Sequence, residues 1–277
     1  MEKEIKPETE RGTEGEIINT EKRYTVITGA SSGIGYATAI AFAKRNKDLI
    51  VIARRKENLE SLKQEIETIN PNIEVIIKVC DLTNIELITT LFNELRNYFI
   101  ETWINNAGFG HYGSVSTQDL TKIGSMLHLN IEALTILSTL YVRKYHNHSN
   151  TQLINISSRG GYTIVPNAVT YCATKFYVNA FTEGLAQELI QTNAKLRAKV
   201  LAPAATQTEF GKKANDVHEY DYDKSFAKYH SADQMAEFLL ALYDSDNIIG
   251  EISTKDFSFS LKDSIFPYSG NPAENQK

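Results

Sequence analysis

The chain has few of the residues that mark secreted or nucleic-acid-binding proteins. Its 277 residues include two cysteines, Cys80 and Cys172, and one tryptophan. Two cysteines in separate segments exclude a disulfide framework and indicate free thiols in a reducing compartment, so we expect a cytoplasmic protein. Asp and Glu outnumber Lys and Arg by 34 to 29, for a net charge of −5. That balance lacks the basic footprint of a protein that binds nucleic acid.

Long hydrophobic runs are also missing. The longest candidate, residues 131–142, contains Glu132 and several hydroxyl residues, so we interpret it as a buried helix and expect no membrane association. Residues 1–20 carry six glutamates and lack the apolar core of a signal peptide, so a disordered leader is expected there. Residues 261–277 look like a tail.

Short β-branched runs alternate with helical periodicity from residue 24 onward. Strands are predicted over 24–28, 49–53, 73–80, 102–105, 152–156 and 196–201. Helices are predicted over 33–46, 57–69, roughly 117–146 and 171–191, and Thr83 with Glu86 resembles a capping box that opens another. Repeated β-α-β order predicts right-handed crossovers, and hence a single α/β domain over 21–260 with a doubly wound, Rossmann-type parallel sheet.

A glycine-rich loop, Thr28-Gly-Ala-Ser-Ser-Gly-Ile-Gly35, joins the first strand to the first helix. Gly29 suits a tight turn, Gly33 lets the backbone approach a pyrophosphate, and Gly35 lets the helix pack against the strand. The helix N-terminus adds free N–H donors and a positive dipole. The loop therefore predicts a dinucleotide site, although short glycine motifs also match by chance in turns that bind nothing.

The same loop fits a second pattern. Gly29-Ala-Ser31-Ser-Gly33 matches the G-x-S-x-G nucleophile elbow of hydrolases. Ser31 would then be the nucleophile, with an Asp and a His downstream. This alternative explains none of the motifs that follow.

The end of the second strand indicates which dinucleotide would bind. An NAD site usually has Asp or Glu there, to hold the ribose 2′-hydroxyl. This strand ends at Ala53 and is followed by Arg54 and Arg55. Two guanidinium groups suit a 2′-phosphate, so NADP is predicted, with a pair of solvated arginines as the alternative.

Tyr171 and Lys175 lie four residues apart, on one face of a predicted helix. A free phenol has a pKa near ~10, and a nearby ammonium lowers it toward the range useful for acid–base catalysis. The spacing alone is weak evidence. It is joined by Asn105-Asn-Ala-Gly108 after the fourth strand, by Ser158 after the fifth, and by Asn130 in an otherwise apolar helix.

Together these motifs make the chain resemble a short-chain dehydrogenase/reductase of the simple single-domain kind, over roughly residues 22–210. The resemblance implies that Tyr171 is the general acid or base on the substrate oxygen. Lys175 would lower its pKa and hold the nicotinamide ribose hydroxyls. Ser158 would hydrogen-bond the substrate carbonyl, and Asn130 would keep a water in a proton relay behind Lys175.

The resemblance also implies a complete NADP(H) site. Asp81 would touch the adenine edge, and Thr208 would meet the nicotinamide amide or phosphate. The residues expected to bind the cofactor are Gly29, Ser31, Ser32, Gly33, Ile34, Gly35, Arg54, Arg55, Asp81, Leu82, Asn106, Ala107, Gly108, Tyr171, Lys175, Pro203 and Thr208. No metal site is expected, because His146 and His148 lie two apart with no partner ligands.

Two departures from the family pattern concern the loops. Pro203-Ala204 stands where the family usually has Pro-Gly, and Ser32 stands where some NADP members carry a basic residue. Segment 207–230 is polar yet carries five aromatics, so it is predicted to be an irregular, mobile substrate lid. Residues considered as further substrate contacts are Phe109, His111, Tyr112, Arg159 (for a carboxylate) and Tyr162.

The sequence therefore predicts an NADP-dependent oxidoreductase that moves a hydride between the nicotinamide and a small-molecule carbonyl or alcohol. A catalytically silent NADP-binding sensor or scaffold is the alternative, and the presence of Ser158, Tyr171 and Lys175 together argues against it. In the resembling family, helices like those near 120–145 and 171–191 form a subunit interface. A homodimer or homotetramer is therefore expected.

Overall fold

The computed structural model describes residues 19–269. Most of the predicted leader and the end of the predicted tail lie outside the described residues. The first half of the described chain alternates strands and helices. Its elements are β1 (Asn19–Thr28), α1 (Gly33–Lys44), β2 (Asp48–Ala53), α2 (Lys56–Ile69), β3 (Val75–Val79), α3 (Ile85–Glu94) and β4 (Tyr98–Asn105).

The second half continues the alternation and adds short elements between β6 and α9. Its elements are α4 (Leu120–Leu127), α5 (Leu134–Tyr145), β5 (Gln152–Ile156), α6 (Val169–Gln191), β6 (Arg197–Ala202), β7 (Thr206–Gln207), α7 (Phe210–Ala214), α8 (Tyr222–Ser225), β8 (His230–Ser231), α9 (Ala232–Asp244), β9 (Ile249–Ile252) and β10 (Phe259–Lys262).

Eight strands form one sheet in the order β10-β9-β6-β5-β4-β1-β2-β3. The six strands β3 to β6 follow the 3-2-1-4-5-6 order of a doubly wound dinucleotide-binding sheet, so the predicted fold class is confirmed. Only the last pair departs from it, because β10 runs antiparallel to β9. This edge strand reaches Lys262, which lies inside the range predicted as a tail.

The core lies on both faces of the sheet. Along β1 and β2, successive residues point to opposite faces, so Ile27 and Val51 join one apolar cluster while Val26 and Ile50 join the other. All four side chains are fully buried. Burial on both faces explains why these strands read as continuous apolar runs rather than as alternating ones.

Two helix starts differ from the sequence prediction. Asn84, not Thr83, caps α3, and its side chain accepts a hydrogen bond from the backbone N–H of Glu86. A complete capping box occurs instead at Ser231 and Gln234, where it opens α9, a helix that the sequence analysis did not predict. Asn and Thr are both good caps, so adjacent candidates are not separated by residue type.

The long helix over Leu120–Tyr145 is interrupted by a π-helical turn at His128–Ala133. By length and composition it is long and apolar enough to cross a membrane, which the sequence analysis had not expected. A helix in the core of a soluble protein can have the same length and composition. In this fold α5 packs against β4 and β5, on the face of the sheet that Trp103 and Leu153 line.

A buried carboxylate fixes the segment after β10. Glu183, on α6, is 1% exposed and accepts the backbone N–H groups of Ile265 and Phe266 at 2.7 and 3.0 Å. It also accepts the hydroxyls of Ser264 and Tyr162 at 2.9 and 2.5 Å. The start of the predicted tail is therefore bound to the helix that carries Tyr171.

Candidate active site

A cavity of about 700 Å³ opens where the carboxyl ends of the central strands meet. This is the edge at which doubly wound sheets bind their ligands. Of the residues predicted from the sequence for catalysis or cofactor binding, all line this cavity except Gly35 and Asn130. Those two lie directly behind its wall.

The glycine loop has the backbone that its residues predict. Gly29 and Gly33 have φ values of +67° and +59°, in the left-handed region that favours glycine. A Cβ on Gly29 would lie 2.8 Å from the Cα of Ala107, and one on Gly35 would collide with the side chain of Asn106. A Cβ on Gly33 would meet Thr208 at 3.1 Å. The loop therefore leaves a cradle without side chains between α1, residues 106–107 and Thr208.

The Thr28 hydroxyl, which the sequence analysis did not single out, joins this loop to the one after β4. It accepts the backbone N–H groups of Asn106 and Ala107, both at 3.0 Å. The Asn106 amide in turn donates to the Thr28 carbonyl at 2.9 Å. A threonine directly before the first glycine is the signal that could have identified it.

The two arginines after β2 have different surroundings. The Arg55 guanidinium donates to both Glu209 carboxylate oxygens at 3.0 and 3.2 Å, to the Ser32 hydroxyl at 2.7 Å, and to the side chain and carbonyl of Ser31. Arg54 makes one loose ion pair, 3.5 Å from Asp81, and its side chain is 65% exposed. Arg55 therefore braces the glycine loop, while Arg54 lines the cavity and most of its N–H donors make no hydrogen bond to a described residue.

The surroundings of Ser31 contradict the hydrolase alternative. Its hydroxyl oxygen accepts hydrogen bonds from the Arg55 guanidinium at 3.2 and 3.3 Å. A guanidinium stays protonated in proteins, so it cannot take a proton from a serine. The Ser31 hydroxyl is therefore held by a guanidinium and not by the base of a catalytic triad.

Tyr171 and Lys175 lie together at the other end of the cavity, both 6% exposed. The Lys175 Nζ donates to the Ile156 carbonyl at 2.9 Å and lies 5.9 Å from the centre of the Tyr171 ring. Burial disfavours the ammonium and lowers the pKa of Lys175 to about 8. Burial also raises the pKa of the Tyr171 hydroxyl, and a hydrogen bond with Ser158 acts in the opposite direction.

The direction for Tyr171 differs from the sequence expectation that Lys175 lowers its pKa. The physical reason is the depth of the site, where the loss of water disfavours the phenolate more than its neighbours favour it. A phenol that carries its proton at neutral pH can still donate that proton to a substrate oxygen.

Asn130 lies in the π-helical turn between α4 and α5, where its side chain is 1% exposed. It accepts the Phe109 N–H at 3.1 Å, and donates to the Phe109 carbonyl at 2.9 Å and to the Thr174 hydroxyl at 3.1 Å. A Cβ on Gly108 would lie 3.1 Å from its Oδ1 and 3.6 Å from the Lys175 Nζ. Asn130 thus fixes the loop after β4 behind Lys175. Its part in a proton relay stays a prediction.

The loop after β5 places Ser158 at the cavity and brings Arg159 to a carboxylate on β9. The Ser158 hydroxyl accepts the Gly160 N–H at 3.0 Å, and the Arg159 N–H donates to the Pro203 carbonyl at 2.8 Å. The Arg159 guanidinium forms an ion pair with Glu251, a buried residue of β9. Arg159 therefore already has a protein carboxylate as partner, and its suggested contact with a substrate carboxylate stays a prediction.

Segment 207–230 is ordered into short elements, contrary to the expected irregular loop. Its strands β7 and β8 pair in parallel, and α7 lies across the cavity. The Ala214 carbonyl accepts the Tyr112 N–H at 2.8 Å, and Asp216 pairs with Lys122 of α4 at 2.7 Å. With the Arg55–Glu209 ion pair, these contacts hold both ends of α7.

The remaining candidates divide into two groups. Phe109 and Tyr112 line the cavity, while His111 is buried beside it, and its ring accepts the Asp119 N–H at 3.4 Å. Tyr162 binds Glu183 instead of facing the cavity. Among residues 19–269, no three His, Cys, Asp or Glu side chains are grouped as metal ligands.

Comparison with known proteins agrees with this geometry. The human protein named dehydrogenase/reductase SDR family member 11 is 33% identical over 213 residues, which are 75% of this chain and 81% of that protein. A short-chain dehydrogenase from Sphingobium yanoikuyae, solved in complex with NADPH, is 28% identical, with a TM-score of 0.75 over 83% of this chain and 87% of that one.

A short chain dehydrogenase/reductase from Burkholderia phymatum, solved in complex with NAD, shares the fold at 20% identity, with a TM-score of 0.70 over 79% of this chain and 85% of its own. The short chain dehydrogenase family profile matches residues 23–219. The match covers the glycine loop, Ser158, Tyr171 and Lys175, and this chain therefore belongs to the short-chain dehydrogenase/reductase family of oxidoreductases.

Proposed function

We propose that this oxidoreductase uses NADP(H) in preference to NAD(H) and interconverts a small-molecule carbonyl and its alcohol. The observation that carries the proposal is one cavity that holds the glycine loop and Arg54 at one end and Ser158, Tyr171 and Lys175 at the other. A dinucleotide fits this arrangement because the glycine cradle has no side chains and Arg54 has donors available for a 2′-phosphate.

The residues around Tyr171 divide the chemistry between them. A bound nicotinamide supplies or accepts the hydride. Tyr171 carries its proton at neutral pH, because burial raises its pKa, and it donates that proton to the carbonyl oxygen. Ser158 hydrogen-bonds the same oxygen. Lys175 is held by the Ile156 carbonyl, and with a pKa of about 8 it can return a proton toward the phenol.

Removing the Tyr171 hydroxyl tests the assignment of the acid. Tyr171→Phe keeps the ring and its packing, so NADPH affinity should stay within about twofold of wild type. Turnover of any accepted carbonyl should fall by a factor on the order of 10² or more, as the loss of a general acid does. Steady-state kcat and NADPH fluorescence titration measure the two quantities.

Lys175→Ala is the companion variant. It should lower both turnover and NADPH affinity, because the ammonium is proposed to serve the phenol and the ribose together. Near-normal turnover in Tyr171→Phe would show that the acid is misassigned. NADPH binding without turnover of any carbonyl by the wild type would favour the sensor or scaffold alternative.

The cofactor preference is proposed to rest on Arg54. Arg54→Ala should weaken NADP⁺ binding by about tenfold, the loss expected for a partly exposed charge-assisted contact, and leave NAD⁺ binding unchanged. Arg55→Ala should weaken both cofactors, because Arg55 braces Ser31 and Ser32. Calorimetric titrations with both dinucleotides test this. Equal wild-type affinities for the two, or an Arg54→Ala protein that still discriminates fully, would refute it.

We also propose that 207–230 acts as a lid whose closure depends on the phosphate loop. Glu209, the residue directly before α7, forms an ion pair with Arg55, and Arg55 donates hydrogen bonds to Ser31 and Ser32. Cofactor binding at the glycine loop can therefore affect the lid through this one ion pair. NADP⁺ should lower hydrogen exchange across 207–230. Glu209→Gln should raise exchange near α7 in the free protein, while Glu219→Gln, the same change at an exposed position of the lid, should not. Hydrogen exchange across 207–230 that changes neither with NADP⁺ nor in Glu209→Gln would contradict the lid.

Assembly into a dimer or tetramer is proposed from the outer surface of α4 and α6. Leu120 and Leu127 on α4 are 82% and 40% exposed, and Tyr177 on α6 is 37% exposed. Large apolar side chains grouped on two neighbouring helices suit a subunit interface. Light scattering should show an oligomer at micromolar concentration, and Leu127→Asp should shift it toward the monomer. A monomeric wild type would refute the assembly.

The cytoplasm is the proposed location. Cys80 and Cys172 are both buried free thiols, as expected of a chain kept in a reducing compartment. Cell fractionation that finds the protein outside the cytoplasm would overturn this proposal.

A further inference from the structure

We propose that the substrate is an uncharged ketone, or the corresponding alcohol, in which the carbonyl is attached to or fused with an aromatic ring. The inference rests on the proposed function and specifies the substrate of the same site. It comes from the aromatic wall around Tyr171 and from the way the charged groups nearby are paired.

Two aromatic rings flank the reacting phenol. Tyr112, on the loop after β4, lies with its ring centre 5.7 Å from that of Tyr171, at an interplanar angle of 61°. Phe210, the first residue of α7, lies 5.5 Å from it at 56°. The Tyr112 and Phe210 ring centres are 6.3 Å apart. These are edge-on and tilted contacts of the kind that aromatic rings favour, so the flat ring of a substrate can join the group as a fourth ring.

The backbone keeps Phe210 in this position. A Cβ on Gly110 would lie 2.9 Å from the Cζ of Phe210, so the glycine leaves room for the ring. The next residue, Gly211, donates its N–H to the Tyr222 hydroxyl at 3.0 Å. Tyr222 also packs against the rings of Tyr220 and Phe226, with centres 5.0 and 5.8 Å away. These contacts tie Phe210 to the rest of segment 207–230, so the wall and the proposed lid are one unit.

Two of the described cations that line the cavity, Arg159 and Lys213, already have a carboxylate partner. Arg159 is bound to Glu251, and Lys213 is bound to Glu209 at 2.7 Å. Lys175 donates to a backbone carbonyl. A carboxylate or phosphate on the substrate would lose its hydration here, and to pair with Arg159 or Lys213 it would have to compete with a carboxylate that is already bound.

Two pairs of ketones separate the effect of substrate charge from the effect of an aromatic ring. Methyl benzoylformate and benzoylformate share the aryl ketone and differ in the negative charge, while 2-tetralone and 2-butanone share an unactivated ketone and differ in the ring. With NADPH, kcat/KM should be at least about tenfold higher for the uncharged member of the first pair and for the aromatic member of the second. Losing the apolar contact of an aromatic ring lowers kcat/KM by about tenfold or more.

Phe210→Leu tests whether the ring wall is the cause. It should raise KM for 2-tetralone by about tenfold with little change for 2-butanone, because only the larger substrate reaches the wall. Phe238→Leu is the matched control, since Phe238 lies on α9 outside the cavity lining. A structural defect in the Phe210 variant would instead lower kcat for both ketones equally, and that result would overturn the role of the wall.

The remaining outcomes distinguish this inference from the proposed function. Tyr171-dependent turnover that is equal or faster with benzoylformate or 2-butanone overturns the substrate class and leaves the oxidoreductase in place. NADPH binding with no turnover of any of the four ketones overturns the substrate class and leaves the cofactor site. A protein that does not bind NADPH overturns the proposed function itself.

Discussion

The Thr28 hydroxyl holds together the two loops on which the cavity depends. By accepting two N–H groups from the segment after β4, it fixes that segment against the glycine loop after β1. The segment then continues to Phe109, whose backbone is held on both sides by Asn130. Asn130 in turn lies beside Lys175. A chain of short, buried contacts therefore connects the phosphate end of the cavity to its acid–base end.

Burial sets the chemistry at the second end. Tyr171 and Lys175 are both removed from water, and this raises the pKa of the phenol and lowers that of the ammonium. The neutral phenol is the form that can donate a proton to a carbonyl oxygen, and the Ile156 carbonyl holds the Lys175 Nζ 5.9 Å from the centre of the phenol ring.

Sequence patterns predicted the features that depend on local backbone conformation and on residues close together in the chain. The β-branched runs, the glycine loop with Gly29 and Gly33, and the placement of Ser158 before Tyr171 all required only neighbouring residues and the strand order. Features that depend on distant partners were not predictable in this way. Glu209 lies 154 positions from Arg55, and Glu183 meets Ile265 across 82 positions. Nothing in the residues near Arg159 indicated that Glu251 would neutralise it.

Hydride transfer at the cavity is the central proposal for this enzyme, and isotope transfer tests it most directly. NADPH deuterated at the transferring position of the nicotinamide, incubated with methyl benzoylformate and the wild-type protein, should give an alcohol with one deuterium on the former carbonyl carbon. Mass spectrometry of the product reads this without reference to any variant. Consumption of the deuterated cofactor with no label in the alcohol, or no alcohol at all, would contradict the account.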